Sequence, residues 1–180
     1  MSDEMIMIRI KEGKLEEMSL LFDRYHLKLY NFFFRLTYNM DVSQDLTQNL
    51  FYRMIKYRGS YREEYSVKSW IFQIARNLHA DYCRDEKKSS DLIIAEENFQ
   101  KDVPEEANNF SEDDYRRLEL AMSALPENQR EILVLSRFQG LKYEEISEIM
   151  NQSVPAIKVT VHRAIKQLRG IFFKQYDHEV

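Results

Sequence analysis

Between Ser153 and Lys174 the chain carries five Lys or Arg residues and no Asp or Glu. Elsewhere acids and bases are mixed. Within this stretch Ile157, Val161, Ala164 and Leu168 recur at spacings of four, three and four, which puts them on one face of a helix. The other face presents Pro155, Val159, His162, Arg163 and Lys166, with Lys158 and Thr160 at its flanks. Such a face suits a polyanion. Later Lys and Arg residues can hold phosphates, while Ser153, Pro155 and Ala156 at the helix start can approach base edges in a DNA major groove. A solvated basic face on an ordinary helical bundle accounts for the same residues without nucleic acid, although the complete lack of acids weighs against it.

A second constellation lies earlier. A helix over Val67–Arg84 would bury a stripe of Ile71, Ile74, Ala75, Leu78 and Tyr82. It would leave Trp70, Gln73, Arg76, Asn77 and Arg84 on the opposite, polar face. Just before it runs Tyr57-Arg58-Gly59-Ser60-Tyr61-Arg62-Glu63-Glu64-Tyr65, with an aromatic every four residues and basic groups alongside. Rings beside cations suit single-stranded DNA, because an unpaired base stacks on a ring while the backbone meets positive charge. The tyrosines could equally pack the loop onto its domain, and Tyr65 is expected to do so.

The elements that must position these residues follow from periodicity and punctuation. With 44% hydrophobic and 13% aromatic residues but only 4 Gly and 3 Pro, the 180-residue chain can pack cores and has little material for turn-rich sheets. The expected fold class is all-α, as two small helical domains. A first helix is expected from Leu15 to Met40, and a second from Asp41 or Ser43 until Gly59-Ser60, with Asp41 and Gln44 at capping-box spacing. After the helix at Val67, residues 89–114 carry one Lys against nine acids, a net −8, whereas residues 1–88 and 115–180 each come to +2. The acidic stretch reads as a flexible linker between domains 1–88 and 115–180, with a short helix possible at Leu92–Phe99. The whole-chain charge of −4 therefore averages unlike parts.

In the C-terminal domain one helix should end before Pro126, which suits the first turn of the next. Gly140 should stop that helix in a left-handed cap. Lys142–Met150 reads as a short helix with Glu144 and Glu145 in its first turn, followed by Asn151 and a Ser153 cap. A short helix, a three-residue turn and a longer basic helix are the parts of a helix-turn-helix.

Other function classes are excluded by what is missing. Cys83 is the only cysteine, so no intramolecular disulfide forms, and the four histidines are scattered, so no structural metal site is expected. No phosphate-binding glycine loop, nucleophile elbow or paired carboxylate is recognisable, so neither metal, cofactor nor enzyme activity is expected. Without a signal peptide or membrane span, a cytoplasmic location is expected.

These residues together resemble a family. Gln44-Asp45-Leu46-Thr47-Gln48-Asn49-Leu50-Phe51 resembles the D-L-x-Q-E-x-F core of region 2.2 of bacterial sigma factors, and Trp70-Ile71-Phe72-Gln73-Ile74-Ala75-Arg76-Asn77-Leu78 resembles the W-[LI]-x-x-I-A-R-N pattern of regions 2.3–2.4. Leu125-Pro126 through Arg130, Tyr143-Glu144-Glu145-Ile146 and Val161-His162-Arg163-Ala164 are similar to region 4. The order of the motifs resembles the extracytoplasmic-function (ECF) group of the sigma-70 family. That resemblance implies a non-catalytic partner of core RNA polymerase, docking on the clamp helices of the largest subunit and on the flap, with Asp45, Gln48, Asn49, Phe51 and Arg53 as polymerase-binding residues. It implies −35 recognition of promoter DNA by Ser153, Pro155, Ala156, Lys158, Val159, Thr160, His162, Arg163 and Lys166. It further implies −10 recognition and melting by Tyr57, Arg58, Tyr61, Arg62, Trp70, Gln73, Arg76, Asn77 and Arg84, and an anti-sigma factor as regulator. Three positions depart from the family pattern: Asn49 stands for a usual Glu, Pro155 enters the recognition helix, and Thr160 replaces a frequent Arg. Two rivals remain at this point, a duplex-binding regulator whose N-terminal unit takes a partner or ligand, and a helical scaffold that binds no DNA.

Overall fold

The computed structural model describes residues 1–90 and 111–176, and every regular element among them is helical. The expected helix at Leu92–Phe99, and most of the acidic stretch, lie outside the described residues. The chain divides into two units, Met1–Gln100 and Lys101–Val180. No described helix is long and apolar enough to cross a membrane.

The first unit opens with a helix the periodicity did not announce, α1 (Asp3–Lys11). The Ser2 hydroxyl accepts from the Met5 N–H at 3.3 Å, and Asp3 and Glu4 place negative charge in the first turn. Ile6, Met7 and Ile10 are fully buried. At its start, the Asp3 carboxylate accepts from both the Arg24 guanidinium and the Tyr25 hydroxyl. Burial, then the bond to Asp3, pushes the ionisation of Tyr25 well above the usual phenol range.

A 3-10 turn (Leu15–Glu17) leads into α2 (Met18–Thr37). This helix stops at Thr37 rather than Met40, because Tyr38 turns left-handed at φ 51°. Asn39, not Asp41 or Ser43, caps α3 (Met40–Lys56), its side-chain oxygen accepting from the Val42 N–H at 3.1 Å. Ser43 is instead buried in the first turn, its hydroxyl donating to the Asn39 carbonyl. A 3-10 turn (Arg58–Ser60) and a loop lead to α4 (Val67–Ser90). Phe32 meets Phe33 and Phe72 edge-on, at 5.3 and 5.4 Å between ring centres, in a core shared with Leu21, Leu29, Leu50, Met54 and Ile71.

The second unit comprises α5 (Glu112–Ser123), α6 (Glu127–Leu133), α7 (Tyr143–Met150) and α8 (Val154–Tyr176). Ser111 caps α5, its hydroxyl accepting from the Asp114 N–H at 3.2 Å. Pro126 sits just outside α6 with extended ψ of 141°, rather than in its first turn, and its carbonyl accepts from the Arg130 N–H at 3.0 Å. After Leu133 the helix widens into a π turn over Val134–Phe138, and Gly140 ends the run at φ 62°.

The Glu145 carboxylate accepts from the Lys142 N–H at 2.8 Å and so closes the start of α7. Asn151 then turns left-handed (φ 51°, ψ 47°). The Ser153 hydroxyl accepts from the Ala156 N–H at 3.3 Å, and its carbonyl from the Ile157 N–H at 3.0 Å. The reversal between α7 and α8 is thus only Asn151-Gln152-Ser153, and the Ser147 hydroxyl steadies it by donating to the Gln152 carbonyl. Across it, α7 buries Ile146, Ile149 and Met150, and α8 buries Ile157, Val161 and Ala164. Leu168 is half-buried.

Candidate nucleic-acid and polymerase interfaces

Burying Ile157, Val161 and Ala164 turns the rest of α8 outward. Ser153, Pro155, Ala156, Lys158, Val159, His162, Arg163 and Lys166 are all exposed. Thr160 is half-buried, and its hydroxyl donates to the Ala156 carbonyl at 3.0 Å, so its proton is engaged inside the helix. Arg169, three residues beyond Lys166, is exposed as well and extends the cationic row. It was legible as a basic residue at the right spacing and was not among the expected contacts. A helix start with small and polar side chains, followed by four exposed Lys or Arg over three turns, offers close approach at one end and phosphate neutralisation along the other.

In the first unit the three tyrosines divide differently from expectation. Tyr61 is the buried one, at 0% exposure, while Tyr57 and Tyr65 are 48% and 42% exposed. The Tyr61 ring meets Trp70 edge-on at 5.6 Å, its hydroxyl donates to the Tyr65 carbonyl at 3.1 Å, and its carbonyl accepts from the Lys11 ammonium at 3.1 Å. Trp70 is only 9% exposed. Tyr61 and Trp70 therefore form the floor of the loop and offer no free ring face for a base. Spacing alone cannot tell which aromatic of such a loop turns inward, because that is decided by what α1 and α4 leave unfilled.

Of the other residues expected at −10, Tyr57, Arg62, Tyr65, Gln73, Asn77 and Arg84 are exposed and Arg76 is half-buried. Lys56 lies over the Tyr57 ring at 5.3 Å, a cation beside an available aromatic face. Arg58 is half-buried and donates to the Ile55 carbonyl at 2.9 Å, which holds the loop's entry rather than leaving the guanidinium in solution.

On α3, Asp45, Gln48 and Asn49 are exposed along one stripe, which continues through Tyr52, 62% exposed, to Lys56. Tyr52 was missed, although its spacing of three from Asn49 and four from Gln48 was visible. Phe51 points the other way. It is buried, 4.8 Å from the Phe22 ring, so it supports the stripe from beneath and is not available as a contact. Arg53 is half-buried and pairs with Asp81 at 3.1 Å, and the second oxygen of Asp81 lies 3.4 Å from Arg84. Asp81, also unforeseen, ties the polar side of α3 to the middle of α4. Pairs this exposed add little stability and chiefly orient the side chains.

Two sequence profiles match the chain where these surfaces lie: Sigma-70 region 2 over residues 21–89 and Sigma-70, region 4 over residues 115–168. The ECF RNA polymerase sigma factor SigM of Bacillus subtilis (strain 168) is 34% identical over 163 residues, covering 88% of this chain and 97% of that protein. The chain belongs to the ECF group of the sigma-70 family. A second relative of this sigma factor, the RNA polymerase sigma factor YlaC of Bacillus subtilis (strain 168), is 29% identical over 164 residues, or 88% of this chain and 94% of that one. In fold it is similar to the sigma factor RpoE solved in complex with the anti-sigma factor NepR from Bartonella quintana, with a TM-score of 0.74, 23% identity, and coverage of 87% of this chain and 96% of that one. As a sigma factor it is a transcription initiation factor and not an enzyme. The region 2 match takes in α2 from Leu21, α3, the aromatic loop and α4 as far as residue 89, while α1 lies outside it.

Proposed function

We propose that this sigma factor, acting in the cytoplasm, binds core RNA polymerase through α3 and directs it to promoters with two separate readers. Residues 1–88 hold polymerase and open the −10 element, residues 115–180 read the −35 element as duplex, and residues 89–114 connect them. The observation that carries the reading is the acid-free, outward face of α8 behind a capped three-residue turn. In a major groove, Ser153, Pro155, Ala156 and Val159 lie nearest the base edges, with Thr160 beside them. Lys158, His162, Arg163 and Lys166 lie along the phosphates. The stripe of Asp45, Gln48, Asn49 and Tyr52 docks on the clamp helices of the largest subunit, with Arg53 held beside it, and the second unit meets the flap. At −10, exposed Tyr57 and Tyr65 offer stacking faces, while Arg62, Gln73, Arg76, Asn77 and Arg84 supply donors and charge. Stacking worth about 1–3 kcal/mol per base offsets the base stacking lost on melting. An anti-sigma factor that covers the cationic face of α8 or the α3 stripe would hold the protein inactive.

The test is run-off transcription with purified core polymerase on promoters selected from genomic DNA by the reconstituted holoenzyme. Transcripts should depend on the added chain and on an intact −35 element, and none above core alone would refute the reading. One further outcome concerns a single cation. Lys166→Ala should weaken DNA binding evenly across sequences and lower the log–log salt slope by roughly one, the release of about one counterion. Titration between low and moderate salt measures it, and an unchanged slope removes Lys166 from the phosphate contacts.

A further inference from the structure

The loop between α3 and α4 is held mainly by bonds among its own members: the Ser60 N–H to the Tyr57 carbonyl, the Tyr65 N–H to the Arg62 carbonyl, and the Tyr61 hydroxyl to the Tyr65 carbonyl. Into this local set reaches one group from fifty residues earlier, the Lys11 ammonium, which donates to the Tyr61 carbonyl at 3.1 Å. The helix that carries it is not free to drift. At its start, Asp3 is gripped by Arg24 and Tyr25 of α2. Along its length Ile6, Met7 and Ile10 are fully buried, and Arg9 pairs with Glu17 at 2.6 Å. The helix α1 is therefore a fixed strut with its basic end on the loop.

The geometry points to Lys11 as a positioning residue for promoter opening: α1 braces the Tyr61 carbonyl and so sets where Tyr57, Arg62 and Tyr65 stand. Tyr61 lies at the midpoint of the loop, and it is the residue that packs on Trp70. A shift of its backbone would therefore move the exposed rings on both sides relative to Gln73 and Asn77. The bond is charge-assisted and partly sheltered, which makes it stiffer than the neutral bonds within the loop. The inference rests on the proposed role of this loop at the −10 element, and the experiment separates the two.

The test uses the full chain in holoenzyme with core polymerase, on a promoter selected as above, and compares Lys11→Met, Lys11→Arg and Asn77→Ala. Methionine keeps a long apolar stem and removes the donors, whereas arginine keeps a donor within reach. Lys11→Met is expected to lower permanganate reactivity of the −10 region roughly three- to tenfold, the range for losing one partly exposed hydrogen bond. Duplex −35 binding and core binding should stay at wild-type values, thermal unfolding should shift by only a few degrees, about what one lost hydrogen bond costs, and Lys11→Arg should restore most of the opening. If Asn77→Ala impairs opening and Lys11→Met does not, the brace is refuted while the −10 reading stands. If neither variant affects opening, the −10 reading falls and the brace with it. Equal losses of opening, core binding and thermal stability in Lys11→Met, unrelieved by arginine, would assign Lys11 to general folding and overturn the positioning role.

Discussion

Tyr61→Ala should destabilise the first unit by about 3–5 kcal/mol, the range for deleting a large aromatic from a packed interior. Tyr61 has no exposed surface and braces Trp70, so its removal leaves a cavity under the loop that α1 and α4 cannot close without moving. Tyr61→Phe should cost only about 1 kcal/mol, for the hydroxyl bond to the Tyr65 carbonyl. Because Trp70 is the only tryptophan, its fluorescence reports unfolding of this unit alone. Denaturant titration followed at Trp70 separates the two variants, and a Tyr61→Ala chain within about 1 kcal/mol of wild type would show that the ring is not part of the core. Promoter opening should fail in Tyr61→Ala and persist in Tyr61→Phe, which distinguishes a floor from a reader.

Ile157→Asp should have a still larger effect, confined to the second unit. Ile157 is fully buried on α8, which packs on α6 and α7, and those helices bury chiefly Ile132, Leu133, Ile146, Ile149 and Met150. An unpaired buried charge costs more than about 4 kcal/mol, a large share of what a unit this small holds in reserve. Duplex −35 binding should be lost while the Trp70 unfolding curve stays unchanged. The sign of the pH dependence follows from desolvation. Burial raises the folded pKa of the new carboxyl, so the neutral form carries the residual stability, and binding should partly recover as pH falls towards 5. An Ile157→Asp chain that still binds duplex DNA at neutral pH would refute the helix-turn-helix packing.

How much could be read in the residues alone varies with the kind of interaction. The α8 stripe was legible because three-and-four spacing over many turns leaves one inner face. The turn before it was legible because Asn151 and Ser153 have specific backbone uses. The all-α class and a C-terminal helix-turn-helix followed directly. The N-terminal helix was not seen: three buried positions, Ile6, Met7 and Ile10, in nine residues that also expose Met5 make a weak stripe. Its Ser2-Asp3-Glu4 start was nevertheless a usable signal. The caps of α3 and α6 moved by a residue or more because neighbouring polar residues compete for one role, Asn39 against Asp41, Pro126 against its successor. That Tyr61, Trp70 and Phe51 turn inward was not legible for a deeper reason. Whether an aromatic faces in or out is a tertiary outcome, set by helices far away in sequence, and here α1 and α2 decided it.

The left-handed Asn151 has a consequence for how such a protein changes over generations. Glycine, asparagine and aspartate occupy that backbone region at least cost, so the hinge of the motif varies most cheaply within a small alphabet, although Tyr38 shows that a larger side chain can be held there. Ser153 is similarly confined to capping residues. Pro155, Ala156, Val159 and His162, a few bonds away, are exposed and bear no core packing. Mutations there can drift without unfolding anything. If α8 reads the −35 element as proposed, a duplicated copy of this gene could acquire a new promoter preference by point changes at these four positions while inheriting the same rigid frame, which would make specificity the most evolvable property of the second unit and its turn the least.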